Sequence, residues 1–246
     1  MIDVQVWLAH PLEIEEGRLQ VQLPLLSADE QAKYHAFRFP THRHHYLAAH
    51  LLLRKSISRY ASFPLDEIRL NAVPHGKPYC EALHEGKPIE ISLSHTHGLV
   101  ACAVTNVPVG IDAEWIGRKW DMGLAEAVLT DREFLRLRQT TPNRQQRQFF
   151  VYWTSKEAYV KCIGKGLSVP FKSIQMDVSE PNRVSLELLQ TDERTFVPNH
   201  DWKHVLLDAT TPEHVVALAI HNQHLPIGQI SIQKWYGGTA DHARRH

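Results

Sequence analysis

Cysteine is scarce in this chain: Cys80, Cys102 and Cys162 are the only three in 246 residues, far apart and without a C-x-x-C pair. That argues against a disulfide framework or a zinc ribbon and suits a reducing, cytoplasmic compartment. An excess of charge of either sign is also lacking. Lys plus Arg and Asp plus Glu number 27 each, so no overall field favours nucleic acid or an anionic membrane, and anion binding must come from local clusters of basic residues. No apolar run approaches the roughly 20 residues of a membrane span. The segment from Met1 to Trp7 has no basic n-region and no long apolar stretch, so no signal peptide is expected. What remains is ordinary globular composition, 43% hydrophobic and 22% charged, with length for one large domain or two small ones sharing an interface.

Histidine, in contrast, is abundant at 17 residues, with a local group at His42, His44, His45 and His50. No cysteine or carboxylate lies within that run, so it reads as a helix face turned to solvent or a polyanion before it reads as a zinc site.

The chain echoes itself. Tyr46 to Leu70 reads as an amphipathic helix running into Phe63-Pro64-Leu65 and on to Ile68, and Tyr152 to Met176 repeats the pattern. Tyr46 and Tyr152, Pro64 and Pro170, and Ile68 and Ile174 share one offset of 106 residues. Two apolar, partly β-branched runs follow in matching order, Leu99 to Asn106 and Val215 to Asn222, each ended by a Pro-Gly turn. Landmarks in a common order predict an α/β fold of two duplicated halves, 1–108 and 109–236, with a tail from 237 to 246 that has no apolar pattern and is expected to be disordered. A ligand is expected between the halves.

Immediately after that boundary, Val109 to Ile116 reads as a strand entered through Gly110. Asp112 and Glu114 are two apart, so both leave one face of the strand, where they repel each other unless a cation or proton lies between them. Alone, such a pair reads as a solvated strand edge. On the next helix, Trp153, Glu157 and Lys161 fall at i, i+4 spacing and form one stripe, bounded by Gly164-Lys165-Gly166. Three carboxylates without histidine or thiol favour a hard, oxygen-binding cation such as Mg²⁺, which takes a few carboxylates plus substrate phosphates. Lys156 and Lys161 are then expected on the same phosphates. Upstream, Ser92-Leu93-Ser94-His95-Thr96-His97-Gly98 puts hydroxyls and an imidazole at a strand entrance, either as a self-satisfied turn or as a phosphate site. Gly76-Lys77-Pro78-Tyr79 presents one lysine on a turn. Lys33, Arg38, Arg43 and Arg54 form a basic run, either a solvated helix or a phosphate contact.

Taken together these blocks resemble the 4′-phosphopantetheinyl transferases, specifically the large monomeric Sfp-type group. The resemblance rests on G-K-P at 76–78, S-L-S-H at 92–95, G-I-D-A-E at 110–114 and W-T-S-K-E-A-Y-V-K at 153–161, continuing to Gly166. It implies a pseudo-twofold pair of α/β halves with coenzyme A between them. It also implies a reaction in which the phosphopantetheine arm of coenzyme A moves to a serine of an apo acyl or peptidyl carrier protein, with release of 3′,5′-ADP. Asp112, Glu114 and Glu157 would hold Mg²⁺ on the pyrophosphate, Lys161 would contact that pyrophosphate, and Lys77 with Pro78 would lie near the adenine nucleotide. Ser94 and His95 would meet phosphate groups, and Glu133 resembles a further glutamate near the site. Where the family often carries an arginine for the 3′-phosphate this chain has His45, with Arg43 or Arg38 as the substitutes within reach.

The implied chemistry is an in-line attack of the carrier serine on the β-phosphate, with either Glu157 or a metal-held water as proton acceptor. The alternative is a metal-dependent pyrophosphohydrolase acting on coenzyme A-like nucleotides with the same carboxylates plus His95 and His97. No nucleic-acid or membrane partner is expected, and the chain is expected to act as a monomer. The segment from Trp120 to Arg147, with Arg132, Arg136, Arg138, Arg144 and Arg147, is either a docking surface for an acidic carrier or a solvated helix face.

Overall fold

The computed structural model of the chain describes residues 2–72, 77–81, 83–180, 183–190, 195–207, 212–222 and 227–238. The first strand, β1 (Ile2–Ala9), leads into α1 (Glu16–Gln20), α2 (Ala28–Ala36) and α3 (Pro40–Ala61). Two short hairpins follow, β2 (Leu70–Ala72) with β3 (Pro78–Cys80), and β4 (Leu83–His84) with β5 (Lys87–Pro88). Next come β6 (Glu90–Thr96), β7 (Leu99–Thr105) and β8 (Val109–Trp115), then α4 (Met122–Val128), α5 (Asp131–Gln139) and α6 (Pro142–Ile163). The chain continues with β9 (Ile174–Glu180), β10 (Arg183–Gln190), β11 (Thr195–Pro198), β12 (Trp202–Leu207), β13 (His214–His221) and β14 (Ile227–Trp235).

The helices start where local chemistry favours it. Ser27 and Thr130 cap α2 and α5 in reciprocal capping boxes with Glu30 and Glu133. Pro40 and Pro142 occupy the first turns of α3 and α6, where a missing N–H removes no helical bond. These two long helices are the repeated elements, each 22 residues. Helix α3 is followed by one 3₁₀ turn, Leu65–Glu67, and α6 by two, Gly166–Ser168 and Phe171–Ser173. The expected apolar strands are β7, buried along its whole length, and β13, buried but for its last residue.

One sheet has the order β14-β1-β7-β6; the other runs β11-β10-β12-β13-β8, with β9 also on β10. Helix α3 packs on one face of the first sheet through Leu47, Leu51, Leu52 and Ile57 against Trp7, Cys102 and Val104. Helix α6 covers the second sheet through Phe149, Phe150 and Ala158 against Ala217 and Ala219. Between the sheets lies a third apolar layer: Val4, Val6 and Leu8 with Ile111, Ala113, Val216 and Leu218. The layers therefore run helix, sheet, sheet, helix, as expected of a duplicated α/β chain.

Strand β14 departs from the expected boundary. Although it follows the second half in sequence, it pairs in parallel with β1, from Ile2 opposite Ile227 to Ala9 opposite Trp235. The start of the expected tail is also packed. The Gly237 carbonyl accepts from Gln22 Nε2 at 2.9 Å, and the Gly238 carbonyl accepts from the Trp235 indole at 2.9 Å. Residues 239–246 lie outside the described residues, as do Gly76 of the G-K-P block and Pro226 of the second Pro-Gly turn. Among the described residues no helix is long and apolar enough to cross a membrane.

Candidate functional site

The approach of α6 to β8 is set by Gly110. A Cβ there would run into the Ala158 carbonyl oxygen and the Cys162 backbone nitrogen, so the helix rests against the strand backbone itself. Asp112 and Glu114 share that face of β8. Above them, Trp153, Glu157 and Lys161 are half-buried, whereas every other residue from Phe149 to Val160 is buried. The stripe expected from i, i+4 spacing is thus the part of this stretch of α6 that reaches solvent, and Lys161 at its end lines a crevice.

Asp112 is the pivot. Its Oδ1 accepts from Lys161 Nζ at 2.7 Å and from the Ser94 hydroxyl at 2.8 Å, while the buried Oδ2 has no hydrogen-bond partner among the described residues. Glu114 Oε1 accepts from the Trp153 indole N–H at 3.0 Å and from Arg118 at 2.9 Å. Burial pushes the Glu114 carboxyl above its usual range, with Asp112 adding to the rise and Arg118 opposing it. Glu157 is pushed up to about 7 by burial and by Asp112, against the pull of Lys161.

This donor set is all oxygen. A buried, unpartnered carboxylate oxygen beside two carboxyls of raised proton affinity fits a hard divalent cation. As the side chains stand, no three His, Cys, Asp or Glu residues are gathered into a metal-ligand group among the described residues. Lys161 and Arg118 partner the carboxylates instead.

The seam between the sheets runs through this site. Alternate hydroxyls of β6 accept from the outward N–H groups of β8: Ser92 from Ile111 at 2.9 Å, Ser94 from Ala113 at 3.2 Å, and Thr96 from Trp115 at 3.1 Å. Side chains of one half replace the strand that would otherwise pair with that edge. A crevice opens along the seam, with Lys77, Pro78 and Leu93 on one side and Lys161, Gly164 and Gly166 on the other. Lys77 Nζ lies 3.2 Å from Glu90 Oε2. Loss of hydration and the nearby Lys161 cation lower the pKa of His95. His45 on α3 is lowered by burial and by the imidazoles of His44, His95, His97 and His42, and its Nε2 is buried without a hydrogen-bond partner among the described residues. Arg43 Nε donates to the Phe37 carbonyl at 3.1 Å, and Arg38 is exposed with its guanidinium over Phe39.

Three expected groups lie elsewhere. Lys156 does not reach the crevice. It is fully buried, and its ammonium donates to Glu133 at 2.6 Å, to the Phe171 carbonyl at 2.9 Å and to the Val128 carbonyl at 3.2 Å. One position before Glu157, it points about 100° around the helix from the stripe and into the core. Glu133 is buried with it and also accepts from Met176 N–H at 2.7 Å. Arg54 is buried in an ion pair with Glu30, so it is no surface phosphate contact. Burial would raise the Glu30 carboxyl, but hydrogen bonds from His50 and Arg54 hold it far below the usual range. Sequence reasoning missed Arg118 and the roles of Trp153 and Ser94. Trp153 carried a signal, an indole donor four residues before Glu157 on the same stripe.

Residues 108–219 match the family described as the 4′-phosphopantetheinyl transferase superfamily, and residues 13–107 match 4′-phosphopantetheinyl transferase, N-terminal. The chain is 33% identical to the 4′-phosphopantetheinyl transferase HetI of Nostoc sp. over 68% of its own length and 70% of that protein. It is 34% identical to the 4′-phosphopantetheinyl transferase gsp of Aneurinibacillus migulanus over 56% of each chain. The 4′-phosphopantetheinyl transferase Sfp of Bacillus subtilis is 26% identical over 80% of this chain and 85% of that one.

Proposed function

The chain belongs to the 4′-phosphopantetheinyl transferase superfamily, and we propose that it moves the phosphopantetheine arm of coenzyme A onto a serine hydroxyl of an apo acyl or peptidyl carrier protein. The observation that carries this reading is the convergence of Asp112, Glu114, Glu157 and Lys161 beside a crevice lined from both halves.

In the transfer, the serine oxygen forms a bond to the β-phosphorus of coenzyme A as the phosphoanhydride bond breaks. The electron pair of that bond leaves with 3′,5′-ADP. Lys161, at the lip of the crevice, stabilises the charge gathering on the leaving group. Glu157, whose carboxyl burial and Asp112 push up to about 7 before any cation binds, or a water beside it, would accept the serine proton. Lys77 and Pro78 border the crevice for the nucleotide, with His95 as a further phosphate contact. Asp112, Glu114 and Glu157 would hold Mg²⁺, which when bound supplies charge neutralisation on the pyrophosphate. The buried free oxygen of Asp112 supports that role.

Both sides of the crevice come from one chain, which supports action as a monomer. Three free, buried cysteines suit a cytoplasmic setting. For the carrier, the candidate surface lies between Trp120 and Arg147, where Leu124, Leu135 and Arg138 are exposed. Arg132 and Arg136 there are partly engaged by Asp177 at 3.0 and 2.7 Å.

The test is incubation of the protein with apo carrier protein, coenzyme A and Mg²⁺, followed by mass spectrometry of the carrier. A mass gain of one phosphopantetheine at the carrier serine is expected. No gain across several carriers, or cleavage of coenzyme A without a carrier, overturns the reading.

A further inference from the structure

Two hydrogen bonds in the site end on carboxylates without adding charge. The Ser94 hydroxyl donates to Asp112 Oδ1 at 2.8 Å and accepts from Ala113 N–H at 3.2 Å, so both its donor and an acceptor site are fixed. The Trp153 indole, which can only donate, reaches Glu114 Oε1 at 3.0 Å. Ser94 belongs to the first half, whereas Asp112, Glu114 and Trp153 belong to the second. Each donor engages one oxygen of a carboxylate, and in Asp112 the other oxygen is buried and unpartnered.

We infer that Ser94 and Trp153 are positioning residues that orient Asp112 and Glu114 toward the divalent cation. Ser94 does this in place of a direct phosphate contact. The inference rests on the proposed metal-dependent transfer. A hydrogen bond to one carboxylate oxygen fixes the rotamer and turns the second oxygen toward the metal, and loss of such outer-shell partners weakens metal binding by about 10- to 100-fold. Lys161 and Arg118 bond to the same two oxygens, but as cations they compete with a metal for the carboxylates. Ser94 and Trp153 are neutral and carry no such competition. The arrangement also makes the metal site depend on the seam, because Asp112 is oriented by a residue from the opposite half.

Mn²⁺ binding to the full chain, without coenzyme A or carrier, tests this by the electron paramagnetic resonance signal of free Mn²⁺. Ser94→Ala and Trp153→Phe are each expected to weaken binding by about tenfold, and Ser94→Thr, which keeps the hydroxyl, to restore most of it. Thr96→Val is the control: it removes the equivalent seam bond to Trp115 N–H but touches no carboxylate, and it is expected to leave Mn²⁺ affinity unchanged. Loss in Thr96→Val as large as in Ser94→Ala would reduce Ser94 to a seam contact and overturn the inference. So would unchanged affinity in folded Trp153→Phe and Ser94→Ala. If the wild-type chain transfers phosphopantetheine yet binds no Mn²⁺, the inference falls and the transferase reading stands. If it binds Mn²⁺ with the expected variant pattern but modifies no carrier, the transferase reading falls alone.

Discussion

Lys156 Nζ lies 2.6 Å from Glu133 Oε2 in the core of the second half, and the two side chains are 0% and 1% exposed. Burial pushes the lysine pKa down and the carboxyl up, while each charge holds its partner ionised. Glu133 also completes the capping box of α5 and accepts from the Met176 N–H in β9. The pair therefore ties α5, α6 and the second sheet together.

Removing one partner leaves a buried charge uncompensated. Lys156→Met is expected to lower stability by about 3–5 kcal/mol, and Lys156→Met with Glu133→Gln to recover part of that. Lys161→Ala, whose ammonium is half-buried at the crevice beside Asp112, is expected to reduce transfer strongly and to cost less stability than Lys156→Met. Urea titrations alongside the carrier-modification assay separate the two lysines. Equal midpoints for Lys156→Met and wild type would contradict the structural role.

Gly110→Ala is expected to force α6 away from β8, because the obstructing atoms belong to helix backbone and cannot rotate aside. Overpacking of this kind costs about 1–3 kcal/mol, a fall in melting temperature of roughly 2–4 °C per kcal/mol for a chain of this size. Transfer should fall further than stability alone explains, since the shift carries Glu157 and Lys161 away from Asp112. Full activity in a folded Gly110→Ala protein would show that this close approach is dispensable.

His204 is buried with neither ring nitrogen hydrogen-bonded among the described residues, and burial depresses its pKa to about 4 from an ordinary 6.5. Above 6.5 neither the folded nor the unfolded chain carries a proton there. As pH falls from 6.5 toward 4 the unfolded state takes up the proton and the native state does not, so stability declines, by on the order of 3 kcal/mol across that window. His204→Phe should flatten this part of the pH–stability curve. An unchanged slope in the variant would locate the acid sensitivity elsewhere.

His45 leads to a ligand-side pH effect of opposite sense. Burial and the facing imidazoles lower its pKa and so favour the neutral ring. An anion favours the protonated ring, so coenzyme A affinity should rise as pH falls, by up to about tenfold per pH unit for one proton taken up. His45→Arg should hold the charge at all pH values and give a shallower dependence. Calorimetric titrations at pH 6 and 8 distinguish the two. Parallel pH dependences in the two proteins would remove His45 from the phosphate contact.

By itself the sequence determined much of the site's local geometry. Period-two spacing put Asp112 and Glu114 on one strand face, and period-3.6 spacing put Trp153, Glu157 and Lys161 in one stripe, because side-chain direction within an element follows from backbone geometry alone. The motif blocks carried the family in the same way. Three other relationships required the tertiary structure. Lys156 and Lys161 differ in role because one direction around α6 meets Glu133 and the other meets Asp112, both more than 20 residues away in sequence. The hydroxyls of Ser92, Ser94 and Thr96 became a seam only because β6 lies along the open edge of β8. Strand β14 returned to β1 across more than 200 residues. Such contacts are decided by which faces and edges meet in the folded chain, and no local pattern of residues encodes that choice.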